Sequence, residues 1–150
     1  MNTPIDVVSD LFIKEYNEKI HHLEALAESG SYRQYFKICS KHRTVLGVFN
    51  EDLPENKAYL SFTETFIGAG INVPRILRKA KDEKAYLVEY LGDTTLYQLQ
   101  SKNTSGHLTS ESLYFYKKSI DELIKIQTKT IGQLDTSFCY PRDAFDKQSI

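Results

Sequence analysis

The stretch YRQYFKICSKHRTVLGVF, residues 32–49, decides the fold class. Over residues 32–39 the side chains alternate. Gln34, Phe36 and Ile38 take one side of an extended chain, and Arg33, Tyr35 and Lys37 take the other. Residues 44–49, TVLGVF, form a second apolar run rich in β-branched residues. A short polar turn around Lys41 and His42 joins the two, so they pair as antiparallel neighbours.

Working outward, residues 21–26 read as a further strand, joined to the pair by AESGS, residues 27–31. Before them, Ile5, Val8, Phe12 and Tyr16 recur every three or four positions, with Thr3 as N-cap and Pro4 at the first helical position, which predicts an amphipathic helix over residues 4–16. After the strands, Asp52, Pro54 and Glu55 supply helix-start chemistry, Ala58, Phe62 and Phe66 an apolar stripe, and Gly68 and Gly70 the stop. VPRIL (73–77), the turn KDEK (81–84) and AYLVEYL (85–91) predict a fourth and a fifth strand beside the first three. Gly92 ends the last strand, and a short helix opens with Asp93 or Thr94 as cap. The polar loop SKNTSGH, residues 101–107, marks an internal boundary. Leu113, Tyr116, Ile120, Leu123, Ile124 and Gln127 then predict a long amphipathic helix over residues 110–129, which needs a surface to pack on. The last twenty residues read as a loop and the start of another helix, as if the polypeptide continued.

Composition sets the class. With 150 residues, 41% hydrophobic and 26% charged, the chain is composed like one globular domain, and disorder and low complexity are excluded. Ten Tyr and eight Phe bring large apolar area to few positions, enough for a real core. A net charge of -1 provides no overall field for nucleic acid or an anionic membrane, so neither is expected as a partner. Cys39 and Cys139 lie too far apart for a redox or zinc motif and read as free thiols in a reducing compartment. No basic start followed by an apolar stretch suggests export, and no apolar run approaches the roughly 20 residues that span a bilayer; the expected location is cytoplasmic. His21 and His22, adjacent on a strand, point to opposite faces and cannot chelate one metal together. The basic run RILRKAK, residues 75–81, reads as a solvated strand end.

The order strand, Gly/Ser turn, strand, strand, helix, strand, strand, linker, helix is that of a kinase-type N-terminal lobe. ESGSYRQYFKI (28–38), PENKAYLSFTETFIGAGINVPRIL (54–77) and YLVEYLGDTTLYQL (86–99) together resemble the aminoglycoside phosphotransferase-like kinases. Within these the chain looks most like the bacterial N-acetylmuramate/N-acetylglucosamine anomeric kinases, over about residues 20 to 130. The resemblance implies an α+β fold. Residues 20–100 would be a kinase-like N-terminal lobe of five antiparallel strands and one helix, preceded by a helix in residues 1–19. Residues 101–150 would begin an incomplete helical C-terminal lobe.

The resemblance also implies a site. Ser29, Gly30, Ser31 and Tyr32 would lie over nucleotide phosphates, where small residues let backbone N–H groups approach the oxygens. The backbone of Glu89 and Leu91 would meet the adenine edge, with Tyr90 or Leu91 lining its slot, and Asp93 would either contact the ribose or cap the next helix. Kinase lobes carry a third-strand Lys paired to a helix Glu, and TVLGVF has none. Arg33 and Lys37 on the neighbouring strand are the available substitutes. Glu55 and Glu64 are the candidate acids, although Glu55 could instead complete a capping box. The implied cofactors are ATP and Mg²⁺, and the implied substrate is a small hydroxyl compound such as an amino sugar. None of the four His begins an HxD-type catalytic loop, so no catalytic residue is assigned and the chain is expected to bind nucleotide without transferring phosphate. Two alternatives stand beside this one. YRQYFKI also resembles the aromatic strand of single-strand RNA-binding sheets, although Tyr35 and Phe36 fall on opposite faces. The chain could also be a catalytically silent kinase-like scaffold.

Overall fold

The structure is a computed structural model that describes residues 3–27, 32–101 and 107–139. Helix α1 (Pro4–Tyr16) starts where the sequence places it. Thr3 and Asp6 cap each other reciprocally, and Pro4 sits in the first turn, where its missing N–H costs nothing. Five strands follow: β1 (His22–Ala25), β2 (Gln34–Cys39), β3 (Thr44–Phe49), β4 (Ile76–Lys79) and β5 (Ala85–Glu89). Helix α2 (Leu53–Gly68) lies between β3 and β4, and α3 (Leu96–Ser101) and α4 (Ser110–Lys129) come after β5. All strands join one antiparallel sheet in the order β1-β2-β3-β5-β4. The fold is thus α+β, with a five-stranded antiparallel sheet and four α-helices among the described residues.

Strand alternation builds two cores. Phe36, Ile38, Val45, Ala85 and Leu87 meet Val8, Leu11 and Phe12 of α1 on one face. Val48, Tyr86 and Val88, with Leu46 and Tyr35, meet Leu60 and Tyr59 of α2 on the other. Gly47 lets α1 come close, because a Cβ there would lie 3.0 Å from both Val8 Cβ and Ile38 Cδ1.

Several expectations shift. The first two strands are shorter than the runs 21–26 and 32–39, since Tyr32 and Arg33 precede the paired residues. The fourth strand begins at Ile76 and takes the sheet edge, because Pro74 has no N–H to give a ladder. The fifth slots beside β3 and ends at Glu89, short of Leu91. Helix α2 buries Asn56, Leu60 and Thr63 instead of the stripe Ala58, Phe62 and Phe66. Its rotation is set by the Asn56 amide, which donates to the Asn50 and Glu83 carbonyls at 2.8 and 2.9 Å, and by Tyr59 stacking on Tyr86. Phe62 and Phe66 are left half-buried against each other. Helix α3 is capped by Thr95, not by Asp93 or Thr94. The Gln98 N–H donates to the Thr95 hydroxyl at 3.1 Å, and Gln98 Oε1 accepts from the Thr95 N–H at 2.8 Å.

Helix α4 spans the expected residues but buries only Ser112, and Leu113, Tyr116, Ile120, Leu123 and Ile124 all stay exposed. It is tied to the irregular segment that leads into β4 by Glu122, which accepts from Asn72 at 3.0 and 3.3 Å. Much of the expected loop 101–107 and the final helix start lie outside the described residues. Both cysteines are unpaired. No described helix is long and apolar enough to cross a membrane.

Candidate functional site

Lys37 stands on the α2 face of β2, level with Glu24 of β1 and Leu46 of β3. Its ammonium group reaches past the end of β5 to Asp93, at 3.0 and 2.9 Å from the two carboxylate oxygens, and lies 4.0 Å from Glu24. It also sits 4.7 Å from the centre of the Tyr90 ring, and the Tyr90 hydroxyl donates to Asp93. The chain can fold back this way because Gly92 takes φ +103°, a conformation that side chains disfavour. Three residues expected near a nucleotide, from two distant stretches, are therefore in contact. Contact with the Tyr90 hydroxyl, and then with Asp93, raises the Lys37 pKa. Tyr90 and then Lys37 lower that of Asp93.

A second cluster joins the residue that leads into β2 to α2. The Arg33 guanidinium donates to Glu55 at 2.9 Å and lies 4.9 Å from the centre of the Tyr59 ring. Asn50 donates to the other Glu55 oxygen at 2.7 Å. Glu55 does not close a capping box. Asp52, the cap, accepts from the Glu55 N–H at 3.0 Å, but its own N–H goes to Asn50 Oδ1 at 3.2 Å. The Glu55 carboxylate is thereby left for Arg33. Burial works against the Arg33 charge, but Tyr35, Tyr86 and Glu55 outweigh it and its pKa is raised. Beneath this pair lies Tyr86, fully buried, with no hydrogen-bond partner for its hydroxyl among the described residues. Burial pushes its pKa up.

Other expected site residues stand apart. Ser29, Gly30 and Ser31 lie outside the described residues, and Tyr32, which follows them, is 98% exposed. The Glu89 side chain turns to Arg75, with contacts of 2.7 and 2.5 Å. Leu91 is 74% exposed. With Glu89 and Tyr90 it borders a cavity of about 330 Å³ that also touches Tyr16 and Arg43, and neither Lys37 nor Asp93 lines it. Glu64 is exposed and far along α2 from Arg33's partner. Tyr35 and Phe36, the aromatics of the RNA-binding alternative, are packed under α2 and α1 respectively.

Sequence reasoning missed Glu24, Asn50, Asn56 and Tyr86. Asn50 and Asn56 flank the helix start, where polar residues are ordinary caps, so nothing local marks them as buried. Only register places Glu24 opposite Lys37. Among the described residues no group of three His, Cys, Asp or Glu is arranged to hold a metal ion. No family model matches this sequence, and no curated protein matches it.

Proposed function

We propose that the chain is the nucleotide-gripping lobe of an ATP-dependent phosphotransferase that acts on a small hydroxyl compound, an amino sugar by resemblance. The observation that carries this reading is the contact of Lys37 with Tyr90 and Asp93. It joins the strand expected above the nucleotide to the segment expected at its adenine and ribose. The sheet order, with one helix between β3 and β4, agrees with a kinase-type lobe, and Arg33, just before β2, supplies an ion pair to Glu55 of α2 in place of a third-strand Lys.

The residues present fit the nucleoside end of ATP better than its phosphates. Leu46 and the Lys37 stem, both partly exposed, offer apolar surface, and the exposed Asp93 carboxylate can accept from sugar hydroxyls. Two carboxylates, Glu24 and Asp93, already surround the one Lys37 cation, so a phosphate there would have to displace Asp93. Among the described residues no three His, Cys, Asp or Glu are grouped to hold a metal ion by themselves, and Mg²⁺ bound with ATP would supply charge neutralisation at the phosphates.

Calorimetry of the full 150-residue chain with Mg-ATP tests the reading. Saturable binding, weakened at least several-fold by Lys37→Gln and Asp93→Asn, is expected. No binding by the folded protein rejects it, and so does salt-dependent binding of single-stranded RNA in place of ATP.

A further inference from the structure

Helix α4 shows more large apolar side chains to solvent than any other described element. Leu113, Tyr116, Ile120, Leu123 and Ile124 are each between 36% and 56% exposed. Leu113 and Ile120 are seven residues apart, as are Tyr116 and Leu123, so at about 100° per residue the five share one stripe. That spacing is the seam of a helix pair. A helix that only covered its own domain would turn such a stripe inward, but α4 turns Ser112, Glu122 and Ile126 inward, with Glu122 held by Asn72.

The two flanks of the stripe differ. The inner flank, on the side of Ser112, Ser119 and Ile126, lies against the protein's own body, and Ser119 borders a cavity between α3 and α4. The outer flank carries Lys117 and Asp121. Both are exposed, and neither is within ion-pair distance of an opposite charge among the described residues, not even of the other, one turn away. The other charges of α4 lie off the stripe. Lys125 is paired with Glu122 at 2.6 Å, Lys118 lies 5.6 Å from the centre of the Tyr114 ring, and Glu111 and Lys129 stand at the helix ends.

We propose that α4 pairs with α4 of a second copy of this chain, antiparallel, about a two-fold axis at Ile120. Antiparallel two-fold pairing sets outer flank beside outer flank. Leu113 then meets Gln127 of the second copy, Tyr116 meets Ile124, and Ile120 meets its own counterpart. Lys117 of one copy and Asp121 of the other are offset along the helix by two residues, about 3 Å, on the same side of the axis, so the pair forms twice. Parallel pairing would instead press the outer flank against the inner flank of the second copy, which that copy's own body occupies. A second α4 is the occupant because it returns the same Lys and Asp in reverse order. Five side chains on one helix make a contact at the small end for protein pairs, so the dimer exchanges with a monomer whose stripe is open. This pairing does not depend on nucleotide binding.

The test is sedimentation velocity of the full 150-residue chain from about 1 to 500 μM, with hydrophobic dye fluorescence read alongside. A reversible monomer–dimer equilibrium is expected, and fluorescence per chain should fall as the dimer forms. Ile120→Glu should leave the far-UV spectrum unchanged and the chain monomeric. Lys117→Asp alone, or Asp121→Lys alone, sets like charges together twice and should weaken the dimer roughly tenfold. The two changes combined put opposite charges back in register and should recover most of the affinity. A chain that is monomeric at every concentration overturns the proposal, as does a dimer that survives Ile120→Glu or ignores the single reversals. A loss that the combined variant does not repair overturns the antiparallel register and the proposal with it. Assembly beyond a dimer does the same, because a closed two-fold contact leaves no stripe for a third copy.

Discussion

At Gly47 of β3 helix α1 lies close to the strand, and the missing side chain leaves room for that approach. A methyl group at Gly47 would press on Val8 and Ile38, both fully buried and with no room to retreat. Gly47→Ala should therefore destabilise by about 1–3 kcal/mol, the usual cost of overpacking, as read from the denaturant midpoint at unchanged slope. An unaltered midpoint would mean that α1 does not press on β3. Tyr86 makes the opposite case. Its hydroxyl is buried with no hydrogen-bond partner among the described residues, while its ring stacks on Tyr59 at 5.3 Å. Tyr86→Phe keeps the ring and removes the unpaired oxygen, so stability should hold or rise by up to about 1 kcal/mol. A clear loss would reveal a partner for that hydroxyl. Both residues were readable only as members of apolar strands, because neither close approach nor an unpaired atom leaves a mark on a sequence.

Among the elements, β2 and the residue before it carry two long-range ties. Arg33, just before the strand, is tied to α2, and Lys37, in its middle, to the segment after β5. The second tie has a defined pH window. The Asp93 pKa is held below its ordinary 3.8, so its contribution to stability is fully present above that value and is lost as pH falls through the lowered pKa. The Lys37 pKa is raised, so its contribution is fully present below the ordinary 10.5 and is lost as pH rises through the raised pKa. Asp93 and Tyr90 resonances followed by NMR should therefore report a closed contact from about pH 5 to 10, opening first in acid. Asp93→Asn should remove the acid transition at Tyr90, and its persistence in that variant would show that another group controls it. The strand faces of β2 were legible because alternation is local, and so were the caps of α1 and α2. The rotation of α2 was not, because the Asn56 amide and the Tyr59 ring outweighed the apolar stripe that periodicity favours.

Across the whole molecule, the sheet is covered on both faces whereas α4 shows large apolar side chains to solvent. A face of this kind should bind a hydrophobic dye. Ile120→Glu combined with Leu123→Lys should abolish most of that fluorescence and change stability by no more than about 0.5 kcal/mol, as surface substitutions do. Dye binding that is absent from the start, or that survives both changes, would contradict the exposure of α4. The chain's own sequence determined the α+β class, the number and approximate bounds of the strands and the extent of α4, because alternation, helical spacing and caps act over a few neighbouring residues. Tertiary structure decided that β5 inserts beside β3, that Arg33 meets Glu55 across 22 positions, and that Lys37 meets Asp93 across 56. Partners that far apart are chosen by register and by which faces the core leaves open, and neither exists until the sheet has formed.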